Sequence, residues 1–191
     1  MKRVFTEGAE YEDLLWNDEP LPIGEYENCT FKNCDFSNAD FSDINFLECE
    51  FLGCNLSLVK LTHSSLREVK FIKCKLLGLH FEECNDLLIS IDFADCILNI
   101  SSFYRLKLKN TKFLNSAIID VDFTETDLSN SVFENCDLKS TIFQNTNLEG
   151  ADFRSSYNYS IDPELNRIRK AKFSMPWIIG LLDKYDIYIE K

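Results

Sequence analysis

The sequence is poor in the residues from which active sites, membrane spans and nucleic-acid interfaces are built. Its 191 residues include two histidines, six glycines and 20 basic against 32 acidic residues, which gives a formal net charge of −12. No apolar run reaches the roughly 18 residues that a membrane span needs, and the first residues lack the apolar stretch of a secretory signal. Phosphate contacts need basic side chains, so a general nucleic-acid binder is excluded. We expect a cytoplasmic protein with no direct contact to membrane or nucleic acid.

Catalytic chemistry has little support in the sequence. His63 and His80 lie 17 residues apart, and neither belongs to a recognisable constellation with Ser, Cys or a carboxylate. No glycine-rich phosphate loop occurs, and the C-x4-C spacings differ from the C-x2-C of zinc sites. We therefore expect no catalytic residues, no cofactor and no metal, and hence a protein that is not an enzyme.

A five-residue repeat is the main feature that the sequence does contain. A large apolar residue stands at every fifth position from Tyr26 to Phe81 and again from Leu88 to Phe153, which makes 12 central positions before a break and 14 after it. Fourteen of the 16 phenylalanines are central, and a second, smaller residue lies two positions before each centre. Neither a helix nor a flat strand has this period. The pattern predicts a solenoid in which each coil contacts only its neighbours.

The second half of the repeat indicates how many sides each coil has. Phenylalanine and an aliphatic residue alternate at the centres from Phe93 to Phe153. Like residues stack on successive coils only if the number of sides is even. Four sides of five residues would set two phenylalanine ladders opposite each other and two aliphatic ladders opposite each other, so that large and smaller side chains interdigitate.

This pattern resembles that of the pentapeptide repeat family. The segments that match its consensus best are Cys34-Asp35-Phe36-Ser37-Asn38, Ala39-Asp40-Phe41-Ser42-Asp43, Thr126-Asp127-Leu128-Ser129-Asn130 and Ala151-Asp152-Phe153-Arg154-Ser155. The resemblance implies an all-β solenoid, a right-handed four-sided β-helix, over residues 24–155.

Within the family, Cys49 to Gly78 and the C-terminal tail look most like the albicidin-resistance member. That member is grouped with the quinolone-resistance members, which mimic DNA and bind DNA gyrase. The resemblance thus implies a DNA-mimicking binder of a type II topoisomerase, DNA gyrase or topoisomerase IV, that gives protection from quinolones or a topoisomerase-poisoning toxin. The alternative is a protein–protein interaction scaffold with another partner.

Two regions interrupt or precede the repeat. Residues 1–23 lie outside it and predict an N-terminal cap, in which Leu15 or Trp16 covers the open end of the first coil. The register breaks near residues 84–87, because Leu88, the next apolar centre, follows Phe81 by seven positions. The two extra residues predict either a bulge or a small projecting loop.

The cysteines follow the repeat. Seven of the eight occupy the small inward position, namely Cys29, Cys34, Cys49, Cys54, Cys74, Cys96 and Cys136. Coils lie roughly 4.8 Å apart, so the stacking leaves disulfide geometry open. A reducing compartment and a buried setting favour free thiols that act as small hydrophobes.

The outward charges are unevenly distributed along the chain. The first 58 residues carry 13 acidic and 3 basic residues, whereas residues 59–115 have a net charge of +3. One predicted side is an acidic edge, although Lys60 and Arg105 also lie on it. We expect partner binding through six carboxylates of this side: Asp40, Asp43, Glu82, Glu83, Asp122 and Glu125.

Residues 156–191 predict a C-terminal cap with a short helix. Asp162-Pro163 indicates a turn, and Ser174-Met175-Pro176 indicates a helix start. The helix that follows is apolar on most sides, which suits both a plug and a two-fold contact. The family resemblance implies a homodimer, and we expect its contact at Trp177, Ile178, Leu181, Leu182 and Tyr185. Ile187-Tyr188-Ile189 has the composition of a strand.

Overall fold

The chain winds as a four-sided parallel β-solenoid. The structure is a computed structural model that describes residues 3–17 and 20–190. Phe31 pairs with Phe51 and Phe46 with Leu66, so one coil takes 20 residues, and the strand pairs of both sheets are parallel. The predicted fold class is confirmed.

Two of the four sides carry regular strands. Side 1 contains β1 (Val4–Glu7), β3 (Gly24–Glu27), β5 (Asn45–Leu47) and β7 (Ser65–Arg67). Side 2 contains β2 (Glu10–Glu12), β4 (Thr30–Lys32), β6 (Glu50–Leu52), β8 (Val69–Ile72), β9 (Ile91–Ala94), β10 (Lys112–Leu114) and β11 (Val132–Glu134). Side 3, which includes Asp35 and Asn55, and side 4, which includes Asp40 and Lys60, are joined by isolated parallel bridges.

The corners turn through residues with a left-handed backbone. Asn38, Asn110 and Asn130 are examples, with φ near +60°. Asparagine, aspartate and glycine accept this conformation at little cost, and the sequence supplies them often two residues after a centre. Each pentapeptide is thus an extended segment followed by a tight corner.

The core is built from stacked rings. On side 2 a continuous aromatic column runs through Tyr11, Phe31, Phe51, Phe71, Phe93, Phe113, Phe133, Phe153 and Phe173, with centroids 4.6–5.5 Å apart. Phe81, Phe103, Phe123 and Phe143 stack opposite on side 4. The two columns meet edge to face, as Phe103 and Phe113 do at 87°. The predicted pair of facing phenylalanine ladders is confirmed.

The solenoid begins earlier than the sequence pattern indicates. β1 and β2 lie within residues 1–23, and they continue both sheets with the 20-residue register, Val4 facing Gly24 and Tyr11 facing Phe31. Trp16 packs against Phe36 and Phe41 at the core end, whereas Leu15 is 53% exposed. The part of this segment that the structure describes is therefore a coil in its own right, and Trp16, not Leu15, covers the core.

The register break changes which residue points inward. Leu88, predicted to be a centre, is 67% exposed, and Ile89 is buried in its place. A 3₁₀ turn at Phe81–Glu83 precedes the extra residues, and Ser90 N–H donates to Leu66 O at 3.0 Å, which rejoins the chain to the coil before it. The prediction for Leu88 is wrong: its backbone has the left-handed conformation of a corner, with φ of +63°, and the next residue, Ile89, enters the core. Strand β7 is the last strand of side 1 in the described residues, and Leu87 and Leu88 project into solvent after it.

The solenoid also continues beyond residue 155. Bridges join Asn147 to Arg167 and Asp152 to Lys172, and Phe173 stacks on Phe153. The apolar beat is hidden here because Asn158 and Pro163 stand at two positions where the five-residue period expects an apolar residue, and Tyr159 and Ile161 are buried instead. The basic stretch from Arg167 to Lys172 thus lies on a last partial coil, which corrects the prediction that the chain after Phe153 is a separate element.

A 3₁₀ helix, Met175–Leu181, closes this end, and a second 3₁₀ turn spans Asp183–Tyr185. The predicted helix start is confirmed, although the Ser174 side chain makes no capping hydrogen bond. Gly180 O accepts from Ile161 N–H at 2.9 Å, which ties the helix to the last coil. The predicted strand at residues 187–189 is wrong, since these residues form no regular structure.

All eight cysteines are buried free thiols. The thiols of Cys54 and Cys74 donate to carbonyl oxygens of the preceding coil, Phe31 O and Phe51 O, at 3.3 Å. The hydroxyl of Thr126 does the same at 2.8 Å. The inward small residue therefore satisfies a buried carbonyl, which gives the cysteines the structural role expected of them.

Candidate protein-interaction surfaces

The structure brings the six predicted partner-binding carboxylates together on side 4. Asp40, Asp43, Glu83 and Glu125 are exposed, and Glu82 and Asp122 are half-buried. The break does not disturb this grouping, because His80 pairs with Ser102 and Ser102 with Asp122. Side 4 is therefore a common surface for all six.

Cations interrupt the carboxylates of side 4. Arg105 Nε donates to Glu125 Oε2 at 2.7 Å, and this hydrogen bond holds the pKa of Glu125 below its usual range. His80 Nδ1 lies 2.9 Å from Glu82 Oε1, and Lys60 pairs in register with Asp40. Opposite charges thus alternate from coil to coil, so side 4 carries no unbroken acidic stripe.

Two of the six carboxylates also have a structural task. Asp40 Oδ1 accepts from Ser42 N–H at 3.0 Å, and Asp122 Oδ1 accepts from Thr124 N–H at 2.8 Å. The hydrogen bonds from Ser42 lower the pKa of Asp40. Replacement of either aspartate removes a turn hydrogen bond as well as a charge.

A second acidic surface lies at the corner between sides 1 and 2. We call it the acidic corner; it consists of Glu25, Glu27, Glu48, Glu50 and Glu68. Part of it borders a groove of about 980 Å³ beside the register break, which Arg67 and Lys70 also line. The sequence pattern indicates part of this surface, since Glu25 and Glu27 share a side, but it does not group all five residues, because they belong to two sides. The excess of acid in the first coils was the signal that could have revealed it.

The groove contains an unusual donor. Arg67 Nε is buried and has no hydrogen-bond partner among the described residues. The strand that carries Arg67, β7, has no neighbouring strand on the side of the break. The register break therefore leaves unsatisfied hydrogen-bonding capacity next to an acidic rim.

The C-terminal end presents most of the exposed apolar surface. Trp177, Ile178 and Tyr185, which the sequence predicts at a dimer contact, are 37%, 42% and 50% exposed. The other two predicted residues, Leu181 and Leu182, are half-buried, and Leu181 packs on the core. The structure thus separates a covering role for Leu181 from an outward role for Ile178.

Ion pairs hold this end in place. Lys184 Nζ lies 2.7 Å from both Asp162 Oδ1 and Glu164 Oε2, and Tyr185 Oη donates to Glu164 Oε1 at 3.1 Å. Trp177 packs on Tyr157 with centroids 5.8 Å apart. These contacts hold the exposed apolar side chains on a defined surface.

The histidines and cysteines of the described residues make local contacts or are buried. No cluster of three or more His, Cys, Asp or Glu side chains there has the geometry of a metal site. His63 Nδ1 lies 4.0 Å from Asp43, and His80 faces Glu82. Burial raises the pKa of the Cys49 and Cys84 thiols to about 12, which keeps them protonated and unreactive at neutral pH. Among the described residues, no helix has the length and apolar character to cross a bilayer.

Comparisons with known proteins agree with this architecture. Two trypsin-treated structures of QnrB1, a plasmid-mediated fluoroquinolone resistance protein, superpose with TM-scores of 0.63 and 0.64 at 18% identity, with 98% of each chain covered. HetL from the cyanobacterium Nostoc, a pentapeptide repeat protein involved in heterocyst differentiation, aligns at 15% identity with a TM-score of 0.49 over 91% of this chain and 87% of its own. No curated protein sequence matches.

The sequence profile described as "Pentapeptide repeat region" matches residues 25–86 and 79–153, about two thirds of the chain. These are the residues whose centres fill the stacked core. The chain belongs to the pentapeptide repeat family.

Proposed function

We propose that this protein is a non-catalytic, DNA-mimicking binder of a type II topoisomerase, DNA gyrase or topoisomerase IV, and protects it from quinolones or a topoisomerase-poisoning toxin. The observation that carries the proposal is the display of carboxylates on a solenoid with a net charge of −12. QnrB1 supports it, because the two folds correspond over 98% of both chains and that protein is named for fluoroquinolone resistance.

The carboxylates that are available for binding a partner lie on two surfaces. Side 4 supplies Asp43 and Glu83, which are exposed and make no contact with Lys or Arg in the described residues. The acidic corner supplies Glu25, Glu48 and Glu68, which are also exposed. Such carboxylates suit a protein groove that normally binds phosphates, and the attraction is screened within about 10 Å at 0.1 M salt.

A two-fold contact through the C-terminal end would complete the mimic. The aromatic column has eight steps, so at about 4.8 Å per coil it measures about 38 Å. Two copies joined at Trp177 and Ile178 would present an acidic surface about twice as long. Such a contact would bury the apolar side chains that are exposed at this end, and this supports the homodimer.

The test is a supercoiling assay with purified gyrase and a fluoroquinolone, with and without the protein. We expect protection or inhibition that weakens as salt rises. Asp43→Lys with Glu83→Lys should reduce the effect while the fold is kept, because Lys73 already occupies a corner like that of Asp43. Glu48→Lys with Glu68→Lys tests the acidic corner in the same way.

The matched control replaces basic residues by acidic ones. Lys70→Glu with Lys73→Glu should leave the effect unchanged or increase it. Wild-type protein that does not bind gyrase at low salt would refute the proposal.

The alternative is a protein-interaction rod with another partner. The interruption of the carboxylates of side 4 by Lys60 and Arg105 favours it, because cations weaken the resemblance of an acidic stripe to the phosphates of DNA. Under this alternative, gyrase is neither protected nor inhibited, and neither set of lysine substitutions changes its activity.

A further inference from the structure

Side 3 carries an exposed apolar patch in the middle of the solenoid. It consists of five residues from four successive coils, Leu58, Leu77, Ile97, Ile100 and Ile119, and we call it the waist patch. Leu58, Ile97 and Ile100 are 55%, 39% and 60% exposed, and the other two are half-buried. Stacking hydrogen bonds fix the arrangement, since Leu58 N–H donates to Leu77 O and Ile100 N–H to Ile119 O.

The coils on either side show that the solenoid itself does not need these residues. The equivalent outward positions carry Asp35 and Asn38 one coil earlier, and Asp137 and Lys139 one coil later. Polar side chains are therefore compatible with the same backbone. The waist patch adds apolar surface that the fold leaves in solvent.

Backbone conformation makes the choice of residues more unusual. Leu58 and Ile100 sit at corners with φ of +59° and +58°, where asparagine, aspartate and glycine are favoured. Among the described residues with positive φ, Ile100 alone is β-branched. Ile100 is mostly exposed and adopts a strained backbone that its outward position does not require, and such an outlier points to a function.

A glycine shapes the surface between them. A Cβ at Gly78 would lie 2.9 Å from Leu58 Cδ2 and 3.8 Å from Ile100 Cδ1. Leu58 Cδ2 and Ile100 Cδ1 therefore both approach the space over Gly78, one from the coil before it and one from the coil after it. From Leu58 to Ile119 the patch spans three coil steps, about 14 Å, which suits about four or five residues of extended peptide.

Charges beside the patch indicate what covers it. Lys60, Lys73 and Lys75 are exposed next to it, and none lies within 4.0 Å of a carboxylate of the described residues. Asp35 and Asp40 lie one coil before the patch and Asp95 and Asp120 lie toward its far end, so the three lysines lie between them, beside Leu58 and Leu77. A segment that pairs with this rim is apolar in its middle and carries carboxylates.

We propose that the waist patch is a docking site for an extended, apolar segment of a partner protein that is flanked by acidic residues. The apolar patch lies on side 3, apart from the acidic corner, and only its rim residue Lys60 belongs to side 4; the site selects the opposite charge. It does not depend on the proposed action on a topoisomerase.

The test measures fluorescence anisotropy with two labelled peptides, Glu-Leu-Ile-Tyr-Leu-Glu and its counterpart with lysine at both ends. We expect the acidic peptide to bind about ten-fold tighter or more, a difference that Kd values resolve directly. Lys60→Glu with Lys75→Glu should invert the preference. Equal binding of both peptides, or no binding of either at about 1 mM, overturns the proposal.

The deciding variant is Leu58→Asn with Ile100→Asn, because asparagine already occupies many of these corners. It should weaken the acidic peptide about ten-fold while Tm stays the same or rises. Glu48→Asn with Glu68→Asn, at matching corners on the acidic corner, should leave binding unchanged. A fall in Tm for the deciding variant assigns the patch a structural role and overturns the proposal.

A second copy of this chain is the competing occupant. Sedimentation equilibrium of wild type and of the Leu58→Asn, Ile100→Asn variant separates the two. A wild-type dimer that this variant dissociates would show that the patch joins two copies, and the partner segment would then be rejected. The same oligomeric state in both proteins, with loss of peptide binding in the variant, supports the docking site.

Discussion

Phe113→Ala tests the stacked core where its contacts are most complete. Phe113 has no exposed surface, stacks on Phe93 and Phe133 at 5.2 and 4.7 Å, and meets Phe103 and Phe123 edge to face. Replacing a buried phenylalanine by alanine removes buried apolar surface and leaves a cavity. Together these lower the free energy of unfolding by about 3–5 kcal/mol. Loss of four ring contacts, with pairs worth roughly 0.5–1.5 kcal/mol each, places the expected loss toward about 5 kcal/mol.

Two matched variants make the expected size specific. Phe173→Ala truncates the half-buried end of the same column, where one stacked partner is lost, so it should cost about 1–2 kcal/mol. Phe113→Leu should cost about 1.5 kcal/mol or less. Leu61 already stands at the centre between Phe41 and Phe81 on side 4, which shows that the fold accepts leucine in such a column.

Urea denaturation followed by circular dichroism gives the free energies. Trp16 and Trp177, the two tryptophans, lie at opposite ends and report by fluorescence whether the ends unfold together. A solenoid with a weakened middle coil is expected to lose this coincidence. A loss below about 1 kcal/mol for Phe113→Ala, or equal losses for Phe113→Ala and Phe173→Ala, would refute the stacked-core reasoning.

Three further predictions concern the ends and the thiols. Ile178→Glu should give a folded monomer in sedimentation, because a carboxylate would be buried at the contact; a wild type that is monomeric at tens of micromolar contradicts the dimer. Gly180→Ala should lower stability by about 1–3 kcal/mol in urea, since its Cβ would overlap Tyr159 O; unchanged stability would show that the 3₁₀ helix is not seated on the coil. Burial raises the pKa of Cys49 and Cys84 from 9.0 to about 12, so the unfolded chain loses these protons first, and stability should be full below pH 9 and fall from there toward pH 12. Urea midpoints at pH 7.5 and 10.5 measure the fall, and replacing Cys49 and Cys84 by alanine should reduce it.

The regular part of the fold could be predicted because its information is local. Each pentapeptide buries its centre and its small residue together, so a window of five residues shows the inward positions. Alternation of phenylalanine with leucine or isoleucine then indicates four sides, since only an even number stacks like on like. The confirmed ladders of Phe93 to Phe153 follow from this rule.

The sequence pattern does not reveal the first and last coils of the solenoid, because single positions in them depart from it. Tyr11, Trp16 and Leu21 fall on the five-residue beat, but the charged and proline-containing sequence around them suggests a cap. Near the other end, Asn158 and Pro163 stand where the five-residue period expects apolar residues, and Tyr159 and Ile161 enter the core instead. Pairing with an already formed coil keeps these segments in the solenoid, and a neighbouring coil is 20 residues away in sequence.

The interaction surfaces also depend partly on the repeat and partly on the tertiary structure. Sequence alone determined the 20-residue coil, the inward residues and the grouping of Asp40, Asp43, Glu82, Glu83, Asp122 and Glu125 on one side, because the period alone sets which residues share a side. Tertiary structure decided that Arg105 neutralises Glu125, that Ile89 and not Leu88 enters the core, and that Leu58 and Ile100 both approach Gly78. These depend on side-chain reach between coils and on which backbone groups the preceding coil leaves to be bonded, and no five-residue window contains either.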